Sequence, residues 1–204
     1  MLDGAVRKRL DPILNRLGVA LANRGLSADI VTICGLCLGL AAAVLIAWHS
    51  YLAGAVLIVL SRLCDGLDGA VARASGKTDF GGFLDIVLDF VFYGAIPLAF
   101  IVADPATNGL AGGLLLFAFY VNGSSFLAFA VMAEKRALST EIRGAKSIYF
   151  TTGLAEATET IAFFLAACFF PAWFPVLAVI FAALCLYTAL SRIVLARLTF
   201  RNGP

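Results

Sequence analysis

The sequence predicts an all-α integral membrane protein: six transmembrane helices preceded by an N-terminal amphipathic helix at the membrane interface. Three observations carry that expectation. Hydrophobic residues make up 62% of the chain and charged ones 14%, well below the quarter or so usual in soluble domains, and the mean hydropathy is +0.98. Six apolar runs, near 28–48, 51–72, 81–103, 110–132, 150–170 and 173–196, each approach the ~20 residues that carry a helix across a ~30 Å hydrocarbon core. Lys and Arg gather in alternate connections, the pattern the positive-inside rule produces in a chain that crosses repeatedly. Six spans use most of 204 residues, so residues 1–204 are expected to form one membrane domain, with an interfacial segment 1–27, a bundle 28–196 and a tail 197–204. No separate soluble domain fits, and no nucleic-acid partner is expected.

The elements follow in order. Residues 5–24 place Val6, Leu10, Ile13, Leu14, Leu17 and Leu21 at helical spacing with basic residues mostly between them, so this helix is expected to lie along the cytoplasmic interface. A solvated helix packed on the spans is the blander reading. Arg7, Lys8, Arg9, Arg16 and Arg24 occupy this segment without a cleavage-like apolar run after Met1, so no signal peptide is expected. Pro12 is placed near a helix start or a bend. Cys34 and Cys37 lie in the first span with no second Cys or His pair nearby; they and Cys64, Cys168 and Cys185 read as small hydrophobes. Arg73 and Lys77 follow the second span; Lys135, Arg136, Arg143 and Lys146 follow the fourth; Arg192, Arg197 and Arg201 mark the C-terminal end. The connections around His49, Asp104–Gly109 and Pro171–Ala172 carry no Lys or Arg. Both termini and the basic loops are therefore expected on the cytoplasmic side.

Four carboxylates interrupt this apolar pattern. Asp65, Asp68 and Ala72 fall at i, i+3 and i+7, and Asp85 and Asp89 at i and i+4, so each set lies on one helical stripe. The short connection Arg73–Phe80 is expected to pack the second span against the third, turning both stripes towards a common space. Four unpaired negative charges there would repel, and bound cation is the relief; hard oxygen ligands select Mg²⁺, Mn²⁺ or Ca²⁺ over softer metals. Two divalent ions, Mg²⁺ or Mn²⁺, would balance the charge. Gly66, Gly69, Gly76, Gly81 and Gly82 keep the surrounding backbone open to a ligand or a neighbouring helix. Arg73 and Lys77 suit an anionic group such as a diphosphate, so the ensemble reads as phosphoryl chemistry at the membrane surface. For any single Asp the bland reading is a helix cap or a salt bridge to Arg62 or Arg73.

The stretches "DGLDGAVAR" (65–73) and "GGFLDIVLD" (81–89) resemble the signature of the CDP-alcohol phosphatidyltransferase family, D-x2-D-G-x2-A-R, a variable loop, then G-x3-D-x3-D. Every fixed position matches. Seven residues separate Arg73 from Gly81, one fewer than the pattern usually has. In "LSADIVTICGL" (26–36), Ala28 and Asp29 stand where the family often has Pro-Asn, while Thr32 is kept. The resemblance implies that Asp65, Asp68 and Asp85 hold the metal with Asp89 nearby as a further ligand. It implies that Gly69, Ala72 and Gly81 line a cytidine pocket and that Arg73 fixes the nucleotide. Asp89 would deprotonate an acceptor hydroxyl, which attacks the lipid-side phosphorus of CDP-diacylglycerol and releases CMP; a covalent phosphatidyl-aspartate route is the alternative. A homodimer in a bacterial inner membrane, its site facing the cytoplasm, is implied as well.

The acceptor is expected to be a small polar alcohol. Lys135, Arg143, Lys146 and Arg192 are the residues expected to meet an acceptor phosphate, with the positive-inside bias and attraction to anionic membrane lipid as the plain alternative. Glycerol 3-phosphate is the first choice, with inositol phosphate and serine as alternatives. Glu156 and Glu159 share one helical face and would either pair with Arg143 or Arg192 or contact acceptor hydroxyls. Asn122, Ser124 and Ser125 read as helix-packing residues, and His49 is not placed in the site. Two other classes use similar residues: intramembrane prenyltransferases, which space their aspartate motifs more widely, and divalent-cation or proton carriers, whose carboxylates lie near the midplane.

Overall fold

The computed structural model describes residues 3–136 and 157–200. The described elements are helices: α1 (Asp3–Ala22), α2 (Ala28–Ala47), α3 (Tyr51–Ser75), α4 (Asp79–Ala103), α5 (Pro105–Lys135), α6 (Ala157–Phe169), a short 3₁₀ turn (Pro171–Trp173) and α7 (Phe174–Phe200). Among them α2, α4, α5 and the unit of 3₁₀ turn plus α7 are long and apolar enough to cross a membrane. The chain is an all-α membrane protein. The expected six spans would add α3, whose apolar run is broken by Arg62, Asp65 and Asp68, and α6, described over 13 residues.

Local chemistry sets the boundaries. The Ser27 hydroxyl accepts from the Ile30 amide at 3.4 Å and starts α2; Thr78 does the same for α4 through the Gly81 amide at 3.0 Å. Asp104 caps α5 through the Thr107 amide at 3.0 Å, a bond that holds its carboxyl below the usual range. Pro105 occupies the first turn of that helix, where its missing N–H is not needed. The expected loop Asp104–Gly109 is thus one capping residue between two helices. The Arg73–Phe80 connection likewise shrinks to Gly76–Thr78, with Gly76 at φ +104°, the left-handed region that favours glycine. Pro12 neither starts nor breaks α1, which runs through it.

Packing relies on small residues, as it must where lipid offers no hydrophobic drive between helices. α1 lies on α3: a Cβ at Gly18 would stand 2.7 Å from the Ala70 backbone, and one at Gly66 would stand 2.9 Å from Leu14. This leaves Ile13 and Leu17 more than half exposed, an apolar face consistent with an interfacial helix. α2 packs on both α3 and α4, α5 on α4 and α7, and α6 on α3. Beyond the site the core is aromatic, with Phe100 stacked on Phe174 at 4.4 Å and Phe163 on Phe181 at 4.8 Å.

Gly39 of α2 faces the fully buried Phe92 of α4, and a Cβ there would meet that ring at 2.6 Å. Gly39→Ala is therefore expected to lower stability by about 1–3 kcal/mol, the usual range for overpacking. The midpoint of denaturant unfolding in detergent micelles reads this, and an unchanged midpoint would show that the ring shifts without strain.

Candidate active site

The structure corrects one expectation about how the carboxylates meet. The α3 and α4 backbones stand apart and are joined by Arg62, which reaches Asp89 and the Phe92 ring; both helices pack on α2 and face one another across a cleft lined by Thr32, Gly35, Arg62, Asp65, Asp68, Asp85 and Asp89 among others. α2 approaches closely because Gly35 and Gly39 lack side chains, and the Ser61 hydroxyl donates to the Gly35 carbonyl at 2.7 Å. Packing of α2 on both helices carries the assembly, with Arg62 of α3 bridging to Asp89 of α4.

Within the cleft, carboxylate oxygens of Asp65, Asp68 and Asp85 all lie within 4.8 Å of one another. Asp68 is buried, and its Oδ2 has no hydrogen-bond partner among the described residues. A buried acceptor is seldom left without a partner, and three converging carboxylates with one such oxygen fit a hard divalent cation. Asp89 stands differently: its Oδ1 accepts from Nη1 of Arg62 at 2.6 Å. The same Nη1 lies 3.3 Å from Asp65 Oδ1, and the guanidinium carbon sits 3.9 Å from the centroid of the Phe92 ring. The charge count behind two divalent ions left Arg62 out. With its guanidinium bound to Asp89, four carboxylates against one cation leave three negative charges.

The residues expected around the nucleotide lie on the same two helices, next to the cluster. Gly69 adjoins Asp68, and a Cβ there would stand 3.3 Å from Arg73 Nη1. Arg73 is exposed near the end of α3, and its Nη2 donates to Asn15 Oδ1 of α1 at 2.8 Å. Ala72 is half-buried one turn beyond Asp68. Gly81, one turn before Asp85, has Asp29 Oδ1 3.1 Å from its Cβ position. Of the expected acceptor residues, Lys135 is exposed at the end of α5. Arg192 is half-buried and bonded across to α5, donating to Asn122 Oδ1 at 2.9 Å and Ser125 Oγ at 2.6 Å. Arg143, Lys146 and Glu156 lie outside the described residues, and Glu159 sits in the first turn of α6. Sequence reasoning weighed Arg62 only as a bland partner of one Asp. The signal was a lone arginine deep in an apolar run, which in a membrane calls for a named partner.

The family model for CDP-alcohol phosphatidyltransferases matches residues 25–195. The chain belongs to that family. It is therefore an enzyme, a membrane transferase of phospholipid biosynthesis, and the carrier and prenyltransferase readings fall away. The chain is 47% identical over 202 residues to the inner membrane protein YnjF of Escherichia coli K12, covering 99% of this chain and 98% of that one. It is 35% identical over 162 residues to the archaetidylinositol phosphate synthase of Methanothermobacter thermautotrophicus, covering 79% of this chain and 72% of that one. A crystal structure of the Mycobacterium tuberculosis phosphatidylinositol phosphate synthase with CDP-DAG bound has the same fold, with a TM-score of 0.72 at 24% identity over 91% of this chain and 94% of that one.

Proposed function

We propose that this enzyme transfers the phosphatidyl group of CDP-diacylglycerol to a hydroxyl of a phosphorylated polyol and releases CMP. The carrying observation is the three-carboxylate cluster with its partnerless Asp68 oxygen, placed on the two helices that hold the family signature. Asp65, Asp68 and Asp85 would hold Mg²⁺ or Mn²⁺. Such an ion supplies Lewis-acid polarisation of the phosphoryl oxygens. Gly69, Ala72, Arg73 and Gly81 receive the CDP moiety, the glycines through open backbone and Arg73 through charge-assisted bonds to phosphate. Asp89 lines the same cleft and accepts the proton of the acceptor hydroxyl. The oxygen so freed bonds to the lipid-side phosphorus, the bond from that phosphorus to the CMP oxygen breaks, and CMP leaves with the electron pair.

Among acceptors, inositol phosphate moves ahead of glycerol 3-phosphate and serine, because a relative covered over 72% of its length is an archaetidylinositol phosphate synthase. Lys135, Arg143, Lys146 and Arg192 remain the residues proposed to meet the acceptor phosphate. The likeness to an Escherichia coli inner membrane protein supports a bacterial inner membrane, and the basic connections support a cytoplasmic site and termini. The family resemblance implies a homodimer.

The experiment is CMP release by purified protein with CDP-diacylglycerol and Mg²⁺, comparing inositol phosphate, glycerol 3-phosphate, inositol and serine, with and without chelator. Chelator-sensitive release is expected, fastest with inositol phosphate. A higher rate with glycerol 3-phosphate would reassign the acceptor, and no release with any of them would sink the reaction.

A further inference from the structure

We propose that Arg62 is a positioning residue for Asp89, holding that carboxylate beside the three-carboxylate cluster in the orientation that meets the acceptor hydroxyl. The proposal rests on the phosphatidyl-transfer reading and deepens it. An arginine inside an apolar segment is costly to bury, so it persists where partners hold it. Both terminal nitrogens and the face of the Arg62 guanidinium have such partners, while its Nε is buried without a hydrogen-bond partner among the described residues. Its side chain is 11% exposed. Nη1 donates to Asp89 Oδ1 at 2.6 Å, in the short range of charge-assisted bonds. Nη2 donates to Ser61 Oγ at 3.3 Å, and that hydroxyl is itself fixed on the Gly35 carbonyl of α2. The guanidinium carbon lies 3.9 Å from the centroid of the buried Phe92 ring, a cation–π contact that fixes the plane of the fork.

The chain of contacts runs from the α2 backbone through Ser61 to Arg62 on α3 and on to Asp89 on α4, so three helices set one carboxylate. Asp65 is one of the three residues whose carboxylate oxygens lie within 4.8 Å of one another and Asp89 stands beside that group, yet Nη1 touches both. Arg62 therefore offsets charge at the cleft and holds Asp89 against the guanidinium while the other three carboxylates converge on an ion. Rotation of Asp89 into the cluster would break its shortest bond. A general base must stand within hydrogen-bond reach of the proton it removes, and a displacement of about 1 Å costs on the order of a hundredfold in rate.

Arg62→Gln tests this in the full-length protein. The expected result is a fall in kcat of about 10²-fold with the KM for CDP-diacylglycerol unchanged. Mn²⁺ affinity, read by electron paramagnetic resonance, should be undiminished, because Asp65, Asp68 and Asp85 remain and a nearby cation has gone. In an Asp89→Asn background the same substitution should change kcat by less than about twofold, since residues acting through one another are not additive. Arg62→Lys, which keeps the charge but not the planar fork, should recover part of the rate. If Arg62→Gln does not fold, Arg62→Lys reads the same quantity, with a fall in kcat of about tenfold at constant KM expected. Wild-type kcat in the folded variant, a loss of Mn²⁺ binding in step with kcat, or full additivity with Asp89→Asn would each overturn the proposal. Absence of CMP release by the wild type overturns the reaction reading along with this one, whereas an active wild type with equally active variants overturns this one alone.

Discussion

Asp89→Asn is expected to leave the protein folded and able to bind Mn²⁺ and cytidine nucleotide while lowering CMP release by about 10²–10⁴-fold, the range general-base catalysis supplies. The amide is isosteric, and its oxygen still accepts from Arg62 Nη1, the bond that now measures 2.6 Å. Its loss is confined to basicity. The three oxygens that lie within 4.8 Å of one another belong to Asp65, Asp68 and Asp85, so ion binding there should survive the change, which separates a proton acceptor from a fourth ligand. Single-turnover kinetics with bound CDP-diacylglycerol check this. A rate close to wild type would remove Asp89 from the base role, and loss of Mn²⁺ binding together with activity would return it to the ligand set.

The fold class was legible because bilayer length and hydropathy are long-range averages that survive ignorance of contacts. The site's carboxylates were legible because i, i+3 and i+4 spacing fixes which side chains share a helix face. What escaped was tertiary. Nothing in the α3–α4 connection says that α2, through Gly35 and Gly39, would pack on both helices and leave a cleft between them. Arg62 and Asp89 are separated by 27 positions, and no periodicity links them. Arg192 shows another limit: its place at the edge of a span says nothing of its neighbours, and in the folded chain it bonds to Asn122 and Ser125 of α5.

Asp68→Asn should produce two effects of opposite sign, and the pair identifies the cluster as a metal site. Three carboxylates with oxygens within 4.8 Å of one another repel when no cation is bound, so removing one charge relieves the metal-free protein. In chelator the variant is expected to unfold at a temperature equal to or above that of the wild type. Adding Mg²⁺ or Mn²⁺ should raise the wild-type midpoint, since a ligand at about 100 times its dissociation constant stabilises the folded state by about 2.7 kcal/mol, and should leave the variant nearly unmoved. Turnover should fall by on the order of a thousandfold, because the Lewis acid and the template for the diphosphate are lost together. A structural role for Asp68 predicts the reverse sign. Its Oδ2 is buried without a partner among the described residues, so that oxygen is open to an ion, and only an ion explains a stabilisation that metal confers on the wild type alone. A variant that still gains stability from Mg²⁺, or that is less stable than the wild type in chelator, would remove Asp68 from the metal set and tie its buried carboxylate to the packing of α2 and α3 instead.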